Sequence, residues 1–164
     1  MSKICTSPEQ AQKFLELGID VSTADMVYFG IHQGMDGEYH LTGINAEDNL
    51  VPIYTHICDK GFPDATAIDI ACQLPCWSLS ALLELLPSEF TEVGKYSTTT
   101  YELRVRKYKF TDEVNLHQIA YGSHKWHEDG GYTWSDMINT GEKEDLLDAA
   151  FEMIVWLKEN GKQI

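Results

Sequence analysis

One stretch decides the fold of this chain: residues 74–87, with the sequence LPCWSLSALLELLP. It predicts a short helix between two prolines, because Pro75 and Pro87 each push the preceding residue out of helical geometry. Ser78 suits the N-cap, since its hydroxyl can accept a backbone N–H of the first turn. A helix of about nine residues does not persist alone. We therefore place it at the centre of the core, with one apolar side formed by Leu79, Leu82, Leu83 and Leu86.

Two further helices flank this stretch, one near each end of the chain. Ser7, Pro8 and Gln10 form a capping box with proline at the first helical position, and Gly18 suits the position after the last turn. The last helix begins after Asp145 and ends before Gly161. Its apolar face consists of Leu147, Ala150, Ile154 and Leu157.

Alternating apolar and polar residues predict strands between the helices. The predicted strands are Met26–His32, Glu38–Thr42, Val51–Ile57, Thr99–Lys109, Asn115–Tyr121, Ser123–His127 and Tyr132–Ser135. Pro52 indicates an edge strand or a strand start, and residues 68–72 give no clear prediction. Because strands and helices do not alternate regularly, we predict an α+β fold. The expected form is one domain over residues 1–164, a mainly antiparallel sheet with about three helices packed on one face.

Composition indicates an ordinary globular protein: 43% of the 164 residues are hydrophobic and 23% are charged. No run approaches the length of a membrane span and no signal peptide is evident, so we expect a cytoplasmic protein that does not bind membranes. The net charge is −14. Such a charge repels nucleic acid and attracts basic partners, although acidic surfaces often serve only solubility.

Four cysteines, at positions 5, 58, 72 and 76, do not form a disulfide framework in a chain of this kind and are expected to be reduced. Cys72 and Cys76 lie four residues apart, but Pro75 interrupts any helix between them and no second pair completes a zinc site. We predict neither a metal nor a cofactor, and the sequence contains no phosphate-binding glycine loop.

The segment His124–His127, with Glu128 and Asp129 adjacent, is the densest group of possible metal ligands. His124 and His127 are three residues apart, so a regular strand places them on opposite sides. We therefore regard His124, Trp126 and His127 as candidate binding residues and predict no metal there.

A basic and aromatic strip is the second candidate binding surface. Arg104 and Arg106 share one face of a predicted strand, with Lys107 and Lys109 close by and with Tyr101 and Tyr108 on the same strand. Such strips can bind single-stranded nucleic acid. The alternative is pairing of these bases with the carboxylates of neighbouring strands, and the net charge favours that alternative.

Three groups of segments occur together: TSPEQ at 6–10 with LGIDVSTADM at 17–26, PCWSLSALLELLP at 75–87, and LDAAFEM at 147–153 with WLKENG at 156–161. This set resembles a family of small uncharacterised proteins from gut anaerobic bacteria and their prophages. The resemblance implies a shared fold and an accessory role in a mobile element. It carries no catalytic residue or cofactor onto this chain.

Three functions follow as hypotheses. The first is a non-enzymatic acidic interaction protein of phage or mobile-element origin that acts on a basic host protein. The second is a small-molecule-binding protein or hydrolase with a pocket of histidine, cysteine and carboxylate groups. The third is a self-associating structural domain, for instance a homodimer.

Overall fold

The structure is a computed structural model, and it describes residues 3–33, 35, 39–42, 49–55, 74–128 and 130–164. Contacts divide the chain into two compact units, residues 3–81 and residues 82–164. Each unit contains one antiparallel sheet. Among the described residues, the α+β class, the antiparallel pairing and three helices are confirmed, and these residues form two sheets where the sequence predicts one. The single domain over residues 1–164 stays a prediction.

The first unit is built around strand β1 (Met26–Gln33). Strand β3 (Asn49–Tyr54) pairs along one edge of β1. Strands β2 (Tyr39–Thr42) and β4 (Leu74–Cys76) pair with successive parts of the other edge. Pro52 lies in β3, which pairs only with β1 among the described residues, so the predicted edge position is confirmed. The predicted strand end at 56–57 lies outside the described residues.

Helix α1 (Pro8–Glu16) begins and ends as predicted. Ser7 accepts the backbone N–H of Gln10, and the Gln10 side chain accepts the backbone N–H of Ser7, which completes the capping box. At the other end Ile19 donates to the Phe14 carbonyl (3.0 Å) and Gly18 has φ +67°. This is a Schellman ending, in which glycine adopts the left-handed conformation at little cost.

The stretch quoted first forms β4 and then helix α2 (Leu79–Leu85). Cys76, Trp77 and Leu82 are fully buried. The rings of Trp77 and Phe14 pack edge to face with their centroids 5.1 Å apart. The Trp77 Nε1 atom donates a hydrogen bond to Thr23 Oγ1 at 3.0 Å. Trp77 therefore has a packing role in the core of the first unit.

The second unit is a four-stranded meander with strand order β5-β6-β7-β8. Its strands are β5 (Glu89–Val93), β6 (Thr98–Lys109), β7 (Asn115–Trp126) and β8 (Tyr132–Asn139). Strand β6 was predicted, β7 joins the two predicted strands Asn115–Tyr121 and Ser123–His127 into one, β8 runs four residues beyond the predicted end, and β5 was missed. Helix α3 (Leu146–Glu159) packs on β7, where Ile119 and Tyr121 are fully buried. None of the helices in the described ranges is long and apolar enough to span a bilayer.

Candidate functional site

One face of the second sheet gathers most of the predicted binding residues, and we call it the arginine face. It consists of Glu102, Arg104 and Arg106 on β6, Ala120, Gly122 and His124 on β7, and Tyr132, Trp134 and Asp136 on β8. Alternation places these residues together, because Glu102 lies opposite Gly122 and His124 lies opposite Trp134. A bulge between Tyr121 and Gly122 aligns Asp136 with Gly122.

Small residues on the central strand allow the long side chains to meet over it. Ala120 is fully buried, and a Cβ atom at Gly122 would lie 2.7 Å from Trp134 Cε2 and 2.3 Å from the Ser135 carbonyl oxygen. The indole of Trp134 thus rests directly on the Gly122 backbone. Glycine at this strand position permits that approach.

Arg106 is neutralised within the arginine face. Its two terminal nitrogens donate to the two oxygens of Asp136 at 2.6 and 2.8 Å. This hydrogen bonding raises the pKa of Arg106 further above its already basic value. Trp134 Nε1 also donates to Asp136 Oδ1, so the carboxylate joins the arginine to the indole. The predicted pairing of a basic side chain with a carboxylate of another strand is confirmed for Arg106, although Asp136 lies on β8, beyond the adjacent strand β7.

Arg104 is held by an aromatic ring. Its guanidinium carbon lies 3.7 Å from the centre of the Trp134 ring, which is a cation–π contact. It makes no ion pair with any residue in the described ranges. With Arg104 on one side and Gly122 on the other, the indole of Trp134 has little surface left on which a nucleobase could stack.

His124 occupies the end of the arginine face. Its ring meets Tyr132 and Trp134 edge to face, with centroid distances of 4.8 and 5.2 Å. Its Nε2 atom lies 3.6 Å from the Glu102 carboxylate. Its Nδ1 atom is buried and has no hydrogen-bond partner among the described groups.

The two remaining candidates, Trp126 and His127, lie where β7 ends. His127 Nε2 lies 2.9 Å from Thr133 Oγ1, and the backbone of Trp126 pairs with Tyr132. His124 and His127 therefore have different neighbours. Within the described part of the chain, no three His, Cys, Asp or Glu side chains are close enough together to hold a metal ion.

A second polar cluster is buried in the first unit. The Cys5 thiol donates to the Tyr28 hydroxyl (3.4 Å), which donates to the Thr6 carbonyl (2.8 Å). Hydrogen bonding with Cys76 is the main reason that the pKa of Cys5 falls to about 7, while the same contact and burial raise the pKa of Cys76. Cys5 thus contacts a phenol and a second thiol, whereas a thiol hydrolase uses an imidazole. Cys58 and Cys72 lie outside the described residues.

Two carboxylates face each other across β5 and β6, since Glu89 is directly opposite Glu102 in the register. Like charges in that position repel. Both residues are exposed, and Tyr132, at the β8 side of the same sheet face, is 58% exposed. The accessible groups at the β5 side of the arginine face are therefore acidic, whereas Arg106 is already paired.

Comparisons with protein-family models, with curated proteins and with solved structures gave no match. Sequence reasoning had placed Arg104, Arg106 and His124 as candidates, but it missed Asp136 and Gly122. The signal for Gly122 was present, because a glycine inside a strand often marks a bulge or a close approach. Asp136 is 30 residues from Arg106, and no local pattern predicts that contact.

Proposed function

We propose that this protein is a non-enzymatic interaction protein that binds a basic host protein, as an accessory protein of a phage or other mobile element in the bacterial cytoplasm. The observation that carries this proposal is the charge balance of the arginine face, whose two arginines are accompanied by two carboxylates. Asp136 pairs with Arg106, while Glu89 on β5 and Glu102 on β6 remain exposed. The arginines of the basic strip thus lie on an aromatic face with no excess of positive charge, and Glu89 adds one more carboxylate at its β5 side.

The negative charge of the protein favours a basic partner both during the approach of the two proteins and at direct contact. The net charge of −14 attracts a cationic protein over several ångströms and accelerates their encounter. At contact, lysine or arginine side chains of the partner can pair with Glu102 and lie over the ring of Tyr132. Tryptophan, tyrosine and arginine are also the residue types that contribute most to binding energy in protein interfaces.

The test begins with capture of proteins from a lysate of a gut anaerobic bacterium at low salt, where charge attraction is strongest. A captured protein is then identified, purified and titrated against the wild-type protein and two variants, Glu102→Gln and Tyr132→Ala. We expect a basic protein whose affinity falls about tenfold in each variant and declines as salt is added.

Matched controls remove the same groups elsewhere in the second unit. Glu113→Gln removes one exposed carboxylate, and Tyr96→Ala removes a tyrosine that is 87% exposed. We expect the affinity of both controls to stay within about twofold of wild type. Retention of nothing at low salt, or equal affinity for wild type, Glu102→Gln and Tyr132→Ala, would overturn the proposal.

A further inference from the structure

An open groove of about 710 Å³ lies within the second unit. The end of α2, strand β5 and the residues after α3 form its walls. Its apolar lining includes Leu85, Pro87, Phe90 and Ile164, all half-buried. The groove therefore offers apolar surface that is accessible from outside.

The charged lining of this groove is mainly acidic. Glu84 and Glu89 are exposed, and neither forms an ion pair with a residue in the described ranges. The basic residue of the lining, Lys162, is engaged with Glu92 and lies 5.1 Å from the Phe90 ring. Two carboxylates that form no ion pair with a described residue thus border the apolar part of the groove.

The position of Glu89 gives the groove a further preference for a cation. Glu89 faces Glu102 across the β5–β6 pair, so each carboxylate raises the electrostatic energy of the other. A positive group placed beside them removes this repulsion.

The backbone of β5 favours an extended ligand. β5 is the terminal strand of its sheet and pairs only with β6 among the described residues. The other edge of a terminal strand can accept hydrogen bonds from, and donate them to, an added strand.

We propose that this groove binds an extended segment of the basic partner and takes up a lysine or arginine side chain from it. The aliphatic stem lies on Phe90 and Pro87 while the charged end meets Glu84 and Glu89, as long basic side chains do at other apolar surfaces with polar rims. This inference rests on the proposed function, since it names where a basic partner is held.

The probe is a fluorescein-labelled synthetic peptide of alternating lysine and valine, titrated at low salt and followed by fluorescence anisotropy. We expect the double variant Glu84→Gln/Glu89→Gln to weaken peptide binding about tenfold. The matched double variant Glu113→Gln/Glu144→Gln changes the net charge equally at exposed positions outside the groove. It should change the affinity less than about twofold.

A second peptide separates groove binding from simple charge attraction. It carries diaminobutyric acid in place of lysine, and both peptides are compared at mildly acidic pH, where the shorter side chain keeps its positive charge and loses half of the aliphatic stem. We expect it to bind the wild-type protein several-fold more weakly than the lysine peptide. Equal binding of the two peptides would overturn the proposal, because the apolar floor would then contribute nothing.

The outcomes separate the groove from the proposed function. An equal loss in both double variants overturns the groove and leaves diffuse attraction to a basic partner intact. Absence of peptide binding at low salt overturns the groove, while the capture experiment tests the function independently. A captured host protein that binds the Glu84→Gln/Glu89→Gln variant as tightly as wild type also overturns the groove alone.

Discussion

Gly122 is the residue on which the packing of the arginine face depends most. A Cβ atom there would come within 2.7–2.8 Å of the Trp134 ring and 2.3 Å of the Ser135 carbonyl oxygen. Trp134 in turn supports Arg104 and donates to Asp136. Displacing the indole would therefore disturb both arginine contacts together.

We predict that Gly122→Ala lowers the free energy of unfolding by about 2 kcal/mol, because overpacking forces neighbouring groups to shift. Urea denaturation followed by circular dichroism measures this change. Ser123→Ala, at the adjacent position whose side chain points to the other face, serves as the control and should cost less than about 0.5 kcal/mol. A Gly122→Ala variant as stable as Ser123→Ala would contradict the close approach of Trp134.

The Arg106–Asp136 pair should contribute measurably to stability. Its side chains are 28% and 21% exposed and form two parallel hydrogen bonds. A double-mutant cycle with alanine at both positions should give a coupling energy of about 1 kcal/mol. The Lys109–Asp112 pair, whose side chains are 67% and 95% exposed, provides the comparison and should give a value near zero. Similar coupling energies for both pairs would contradict the special role of Asp136.

For single residues, the sequence predicted the type of interaction better than it predicted which residue would be the partner. Arg106 was expected to pair with a carboxylate because the chain is acidic and cross-strand neighbours interact. The partner, Asp136, reaches it across β7 only because Ala120 and Gly122 are small and a bulge changes the register. That arrangement involves three strands, and no short window of sequence contains it.

At the scale of elements, helix boundaries were the most predictable features because their signals are local. The capping box of α1 and the glycine endings of α1 and α3 all occur where expected. In α3, Lys162 donates to the Leu157 carbonyl (2.9 Å) and Gly161 has φ +66°, which repeats the Schellman ending of α1. Each of these signals spans only a few residues.

We predict that Gly18→Ala destabilises the protein by about 1 kcal/mol, because alanine tolerates the left-handed conformation poorly. Gly18→Asn should cost less, since asparagine adopts that conformation more readily. Thermal denaturation compares these variants with Gln12→Ala, an exposed position inside α1 that should be close to neutral. Equal stability of Gly18→Ala and Gln12→Ala would count against the Schellman ending.

Strands were less predictable, for two physical reasons. β5 has five residues and only Phe90 among them is half-buried, so its alternation is too short to recognise. The predicted end of β8 at Ser135 precedes the bulge, where Asp136 and Ile138 switch faces and the period of two is interrupted. The division into two sheets depends on which distant strands pair, and alternation within one strand does not encode it.

At the scale of the whole molecule, the net charge of −14 should limit stability. Like charges repel one another more strongly in the compact state than in the extended chain. The few ion pairs in the described ranges, such as Arg106–Asp136, offset only part of this repulsion.

We predict that the melting temperature rises by several degrees between about 10 mM and 500 mM sodium chloride, as the Debye length falls from roughly 30 Å to under 5 Å. Differential scanning fluorimetry measures it, with sucrose as a control that acts without screening charge. A melting temperature that falls steadily with salt would mean that attractive ion pairs outweigh the net repulsion.

Met137 is 59% exposed and has no opposite residue on β7, because the register passes from Ile138 to Asp136 at this point. A chain shortened by this residue would join Asp136 to Ile138 as ordinary consecutive strand positions, each still directed to its present side. Removing Ser135 instead would move Asp136 opposite Ser123 and away from Arg106. The β7–β8 pair thus has one position that can be deleted without changing the register on either side. Natural length variation that preserves the arginine contacts should occur at this position.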